Sequence, residues 1–211
     1  VMPVSPILLL VLLVLAASGF LTGPLRRLGL TPRWGLALLG AMLAGSLVEL
    51  HLTPRLTLNF GTGLLPLCLA LYQVRAMRRW WEPGLAVGGA LTGAASLAAL
   101  SLYFPPGQPT ELNLFYLDAQ YLYATVAGTL GCLIGHTRPA AFAAAVLGSL
   151  LADLYHYFRY VAASQPDVVF RLAGGGFHGT ALVAGVLALT LAELLHRPGD
   201  GRPASPDLPV S

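Results

Sequence analysis

Seven apolar stretches, each near the length at which a helix crosses the hydrocarbon core of a bilayer, follow one another along almost the whole chain. They fall at about residues 6 to 22, 34 to 52, 60 to 77, 84 to 104, 114 to 135, 140 to 161 and 174 to 195. A soluble globule needs charge to cover its surface; here 12 basic and 9 acidic side chains serve 211 residues, 56% of them apolar. The pattern predicts an all-α protein, a polytopic transmembrane helical bundle of about seven spans in a cell membrane, with the lipid bilayer as its first partner. Residues 1–196 form a single transmembrane domain in this reading. Residues 197–211, rich in Pro, Gly and Ser with mixed charge, predict a flexible cytoplasmic tail. The breaks carry turn residues, including Gly23-Pro24, Thr53-Pro54, Glu82-Pro83 and Pro105-Pro106-Gly107. The first stretch lacks a basic flank and reads as a retained span rather than a signal peptide.

Every basic residue of the 12 is Arg, and without Lys these residues supply no Schiff base, retinal linkage or Walker-type phosphate loop. Cytoplasmic loops keep positive charge. With the N-terminus outside, nine Arg fall inside (Arg26, Arg27, Arg33, Arg75, Arg78, Arg79, Arg138, Arg197, Arg202) and three outside (Arg55, Arg159, Arg171), which favours N-out/C-in. Trp34, Trp80 and Trp81 then lie at the inner interface, where amphipathic rings prefer to sit. Orientation accounts for the positive charge, so nucleic acid is not an expected partner. Cys68 and Cys132 sit inside apolar blocks without metal or redox spacing and are expected to be small buried hydrophobes.

Gly45-Ser46-Leu47-Val48-Glu49-Leu50-His51 closes the second stretch, and Gly148-Ser149-Leu150-Leu151-Ala152-Asp153-Leu154-Tyr155-His156 lies near the end of the sixth. Each is followed by a glycine-rich helix start: Gly61 and Gly63 after Asn59 and Phe60, and Gly174, Gly175, Gly176 and Gly179 around Phe177 and His178. This suggests a parallel 3+1+3 repeat with broken helices, an arrangement that places a shared site where repeats meet. The third stretch also suits a re-entrant helix.

Charged and imidazole groups in hydrocarbon are costly and usually face a cavity or a partner. Glu49, His51, Asn59, Asp118, Asp153, His156 and His178 all fall in the outer half of this topology, with Glu193 alone near the inner end. Asp153 and His156, three positions apart, share a helix face. Glu49 and His51, two apart on a helix, would face different ways. Asp118 reads as a helix-start acid near water more readily than as a buried site residue. The glycines around His178 either open backbone N–H groups to an anion or carboxylate or only permit close helix packing.

On the order of Leu58-Asn59-Phe60-Gly61-Thr62-Gly63-Leu64-Leu65-Pro66, Gly148-Ser149-Leu150-Leu151-Ala152-Asp153-Leu154 and Ala173-Gly174-Gly175-Gly176-Phe177-His178-Gly179, the chain resembles a family of small bacterial and archaeal membrane proteins defined only as a domain of unknown function. The resemblance covers most of the chain from the second stretch on and implies a polytopic bundle in a prokaryotic cytoplasmic membrane, with no reaction attached. The family pattern carries an acid where this chain has His178, so a two-aspartate protease mechanism lacks its second carboxylate.

Three functions follow. A small-solute or ion permease, proton-coupled, would use Asp153, His156 and His178 as an outward-facing site, with Glu49, Asn59 and Asp118 as further candidates. An intramembrane hydrolase or protease could bind zinc through Asp153, His156 and His178, although no His-Glu-x-x-His or Ser-His pattern accompanies them. A membrane scaffold would use its polar groups only to fix packing, alone or in an oligomer with other membrane proteins.

Overall fold

The computed structural model describes residues 4–20, 22, 25, 30–77, 79–104, 119–162, 169–173 and 179–195. Asp118, Gly174, Gly175, Gly176, His178 and the tail from residue 196 lie outside the described residues. The described chain is mostly helical, with seven α-helices: α1 (Val4–Ala17), α2 (Pro32–Gly45), α3 (Leu65–Ala76), α4 (Glu82–Leu100), α5 (Ala119–Gly135), α6 (Arg138–Ala162) and α7 (Thr180–Leu195). Each of the seven apolar stretches overlaps one of them. Among the described residues, however, only α4 and the Arg138–Arg159 part of α6 are long and apolar enough to cross a membrane unaided. At 1.5 Å per residue, the 12 residues of α3 rise only about 18 Å.

Helix starts are written in proline. Pro32, Pro66 and Pro83 each occupy the first turn of a helix, where the missing N–H has no partner to lose. Thr31 caps α2 through its hydroxyl, which accepts from the Trp34 N–H at 3.4 Å. Between α5 and α6 the chain turns within Gly135-His136-Thr137, with His136 at φ 52° and the Thr137 N–H donating to the Gly135 carbonyl at 2.6 Å.

The bundle is organised around α6, which packs against α3, α4, α5 and α7. Ala140, Ala141, Ala143, Ala144, Ala145, Val146 and Phe142 are consecutive and all buried, as a helix segment surrounded on every side must be. Small side chains let the backbones close in. A Cβ on Gly148 would stand 3.0 Å from the Ala90 carbonyl oxygen of α4. On one flank Leu9, Met42 and Leu182 tie α1 and α2 to α7, with Leu65 and Leu69 of α3 packed against them.

The expectation for the second stretch is corrected here. Residues 34 to 52 are not one helix: α2 stops at Gly45, and the chain continues into β1 (Glu49–Thr53) and β2 (Leu56–Asn59) before a π-helical segment, Phe60–Leu64, leads into α3. The helical core therefore carries a small three-stranded sheet, ordered β1-β2-β3, in which β2 pairs antiparallel with β1 and parallel with β3 (Phe170–Leu172). The reason is local: Leu50, Leu52, Leu56 and Leu58 alternate with polar residues on either side of Thr53-Pro54, a period of two that suits a hairpin better than a helix. Cys68 departs from expectation as well, standing exposed on α3, whereas Cys132 is buried.

Because β1 and β2 join α2 to α3 while β3 follows α6 and precedes α7, the sheet gathers the connections of four helices at one end of the bundle. At the far end Arg138, opening α6, meets Glu193, closing α7, with Nε 2.8 Å from Oε1.

Candidate functional site

Strand pairing decides how the polar residues of the sheet end are presented. Glu49 lies opposite Asn59, His51 opposite Thr57, and Thr57 opposite Arg171. Side chains alternate along a strand, so these five share one face while Leu50, Leu56, Leu58, Phe170 and Leu172 share the other. Glu49 and His51, expected on different faces of a helix, are thus on the same face of β1. Glu49 Oε1 is 3.8 Å from the Arg171 guanidinium across the sheet, a contact between partly exposed groups.

Asn59 is buried and its carbonyl oxygen is fully used. It accepts from the Gly61 N–H at 3.0 Å, the Thr62 N–H at 2.9 Å and the Thr62 hydroxyl at 3.0 Å, while its amide donates to the Ser46 carbonyl at 2.8 Å. This residue caps the π-helical segment and ties it to the end of α2. Gly61 is required by the same contact, since a Cβ there would strike the Met42 carbonyl oxygen and the Ser46 nitrogen and stand 2.7 Å from the Gly45 carbonyl carbon. The glycines of this segment serve close packing: at Gly63 a Cβ would stand 2.6 Å from Leu58 Cδ1 and 3.2 Å from the Ala173 Cβ.

Ala173 joins the two halves of the sheet end. It is buried with φ 63°, a left-handed backbone that costs an L-residue roughly 1 kcal/mol, and it is held there from both sides. Asp153 Oδ2 accepts the Ala173 N–H at 2.8 Å, and the Ala173 carbonyl accepts the Thr180 N–H at 3.2 Å. Asp153 thereby clamps the entry to α7 from the side of α6. Among the described residues the other carboxylate oxygen, Oδ1, has no hydrogen-bond partner.

One turn further along α6, His156 is only 4% exposed, yet its Nε2 has no hydrogen-bond partner among the described residues. The Thr180 hydroxyl, on a residue 8% exposed at the start of α7, is in the same state. Buried polar atoms are ordinarily bonded, so these two stand out among the described residues. The Tyr155 ring lies 5.7 Å from the His156 ring, and Tyr157 packs 6.0 Å from Phe170, closing the apolar side of the sheet over α6.

Of the sequence candidates, Asp153, His156, Asn59 and Glu49 are gathered at the sheet end, Asn59 as a structural cap and Glu49 as half of an ion pair; Asp118 and His178 lie outside the described residues. Among the described residues no group of three His, Cys, Asp or Glu side chains is arranged to hold a metal ion. Sequence reasoning missed Ala173 and Thr180. Thr180 follows directly on Gly179, at φ 44°, a position that marks a helix start; nothing in the sequence singles out Ala173. Compared with models of known families, with curated proteins and with solved structures, the chain gives no match.

Proposed function

We propose that the chain is a multi-pass protein of a prokaryotic cytoplasmic membrane, threaded seven times with its sheet end outside, and that it works as a small-solute or ion permease, proton-coupled at Asp153 and His156. The observation that carries the permease reading is His156, buried, with an Nε2 that has no hydrogen-bond partner among the described residues, one helical turn from a carboxylate.

Exposed apolar surface supports the membrane. Of the most apolar 18 residues of α4 only 28% are buried, and Val87 and Leu91 of α4, Ile7, Leu10, Val11 and Val14 of α1, Leu71 of α3 and Leu133 of α5 face outward. The core helix of a soluble protein would hide such residues. Helix α3, too short alone, is extended by the π segment and β2. Non-helical backbone is tolerated at membrane depth where protein surrounds it, and every residue of β2 is buried. The parallel pairing of β2 with β3, each preceding a helix, agrees with a parallel repeat in which α3 and α7 are counterparts. The family resemblance in the glycine motifs points the same way on fold and is silent on substrate.

Purified protein in sealed vesicles tests this. With a pH-sensitive dye inside and a panel of small cations and solutes outside, the wild type should move protons or solute, and Asp153→Asn and His156→Ala should each abolish flux while remaining folded. Wild-type vesicles no leakier than empty ones across the panel would sink the permease reading. A scaffold is the second reading, favoured by one observation: the bond Asp153 makes among the described residues goes to backbone, as a packing strut would. In that case Asp153→Asn lowers stability and there is no flux to lose.

A further inference from the structure

At the end of the bundle opposite the sheet, cations and indoles gather with little acid to balance them. Helix α2 ends and α3 begins at the sheet end, on either side of the strand hairpin and the π segment, and Leu39, Met42 and Leu43 of α2 and Leu65 and Leu69 of α3 belong to one cluster around Leu9 and Leu182. The start of α2, with Arg33 and Trp34, therefore lies at the same end as the close of α3, with Arg75, and the turn that carries Arg79, Trp80 and Trp81 into α4. Arg33, Arg75 and Arg79 are all exposed, and among the described residues none has a carboxylate partner. Within residues 1–104 the acids are Glu49, at the other end, and Glu82. The Arg79 guanidinium sits 5.7 Å over the Trp81 ring, which steadies a flexible cation in one place. Trp81 makes no side-chain cap at the start of α4, so the positive end of a 19-residue helix is directed at the same spot.

The indoles identify the guest. Trp80 is 92% and Trp34 71% exposed, an arrangement unfavourable in water and favoured at the depth of lipid headgroups. We propose that this end binds an anionic phospholipid, its phosphodiester held by Arg75 and Arg79 with Arg33 beside them and its glycerol region flanked by Trp34, Trp80 and Trp81. A free phosphate would use the cations and leave the rings without a role. The inference rests on the membrane assignment above and is independent of the permease reading.

All three tryptophans of the chain are here, so intrinsic fluorescence reports on the site directly. The full-length protein is first extracted from membranes in mild detergent; recovery in the soluble fraction without detergent would overturn the membrane assignment itself. Short-chain phosphatidylglycerol is then titrated against phosphatidylcholine of the same chain length and against inorganic phosphate. The expected result is a saturable fluorescence change with phosphatidylglycerol, at least about tenfold weaker with phosphatidylcholine and absent with phosphate. Arg75→Gln and Arg79→Gln should each weaken it about fivefold, and together about thirtyfold, with the circular dichroism spectrum unchanged. Should the double variant fail to fold, the single ones carry the comparison. Equal response to the two lipids, reproduction of the change by phosphate, or single variants that bind as tightly as wild type would each overturn the proposal while leaving the membrane assignment standing.

Discussion

Residues 45–51 and 148–156 open with the same Gly-Ser-Leu and part within three positions. In the first, α2 stops: Ser46 is its cap, the Ser46 hydroxyl donates to the Leu43 carbonyl at 2.7 Å, and the Ser46 carbonyl is taken by Asn59. In the second, Ser149 bonds back to Ala145 at 2.9 Å and the helix runs on to Ala162. The difference lies downstream. Glu49 to Asn59 alternate around Thr53-Pro54 and offer a hairpin, and Asn59 supplies the donor that draws the Ser46 carbonyl out of the helix. After Ser149 come Leu150, Leu151 and Ala152, good helix formers with no turn residue among them. Even the shared glycine is used differently: Gly45 admits Phe60 and Gly61, whereas Gly148 admits the backbone of α4. The acid that follows is accordingly a surface partner of Arg171 in one case and a buried clamp on Ala173 in the other.

Substitutions can break this contrast at graded cost. Gly61→Ala should be the most damaging, because its new methyl meets the backbone at Met42, Gly45 and Ser46, which cannot rotate away; loss of roughly 3 kcal/mol or more is expected, read as failure to recover folded protein. Asn59→Ala strips the π segment of its cap and strands the Ser46 carbonyl, so thermal unfolding in detergent should show about 2 to 3 kcal/mol lost. An unchanged Tm for Asn59→Ala would mean that the hairpin ends α2 without its help. Gly148→Ala presses on Ala90 from 3.0 Å and should cost about 1 to 3 kcal/mol by separating α4 from α6. At the bottom of the scale, Glu49→Gln removes an ion pair between partly exposed groups and should change stability by less than about 0.5 kcal/mol. An effect of Glu49→Gln as large as that of Asp153→Asn would show that the two acids play equal parts after all.

How much of this was open to reading varies by region. The helices were legible because long apolar runs have few other outcomes, and the order of α1 to α7 follows the order of the runs. The hairpin was legible in principle, since Leu50, Leu52, Leu56 and Leu58 keep a period of two, but inside an apolar stretch of membrane length that signal is easily absorbed into a helix. Asp153 and His156 stood out as costly residues, yet no spacing rule says that the carboxylate reaches across 20 residues to a backbone N–H. Among the described residues, strand β3, three residues long, pairs with β2, and the left-handed backbone of Ala173 is held by Asp153 and Thr180. Such features belong to the tertiary structure, and no local stretch encodes them.

The parallel pairing of β2 with β3 also sets an order of events during synthesis. Leu56 must wait for Phe170 before its outer edge is covered, and between the two lie helices α3 to α6. A nascent chain that has made β1 and β2 therefore carries an open row of N–H and C=O groups until the sixth helix is in place, and a ribosome stalled before residue 170 leaves that row bare. The clasp that joins the two halves of the sheet end thus closes only after the four helices between its strands have been made.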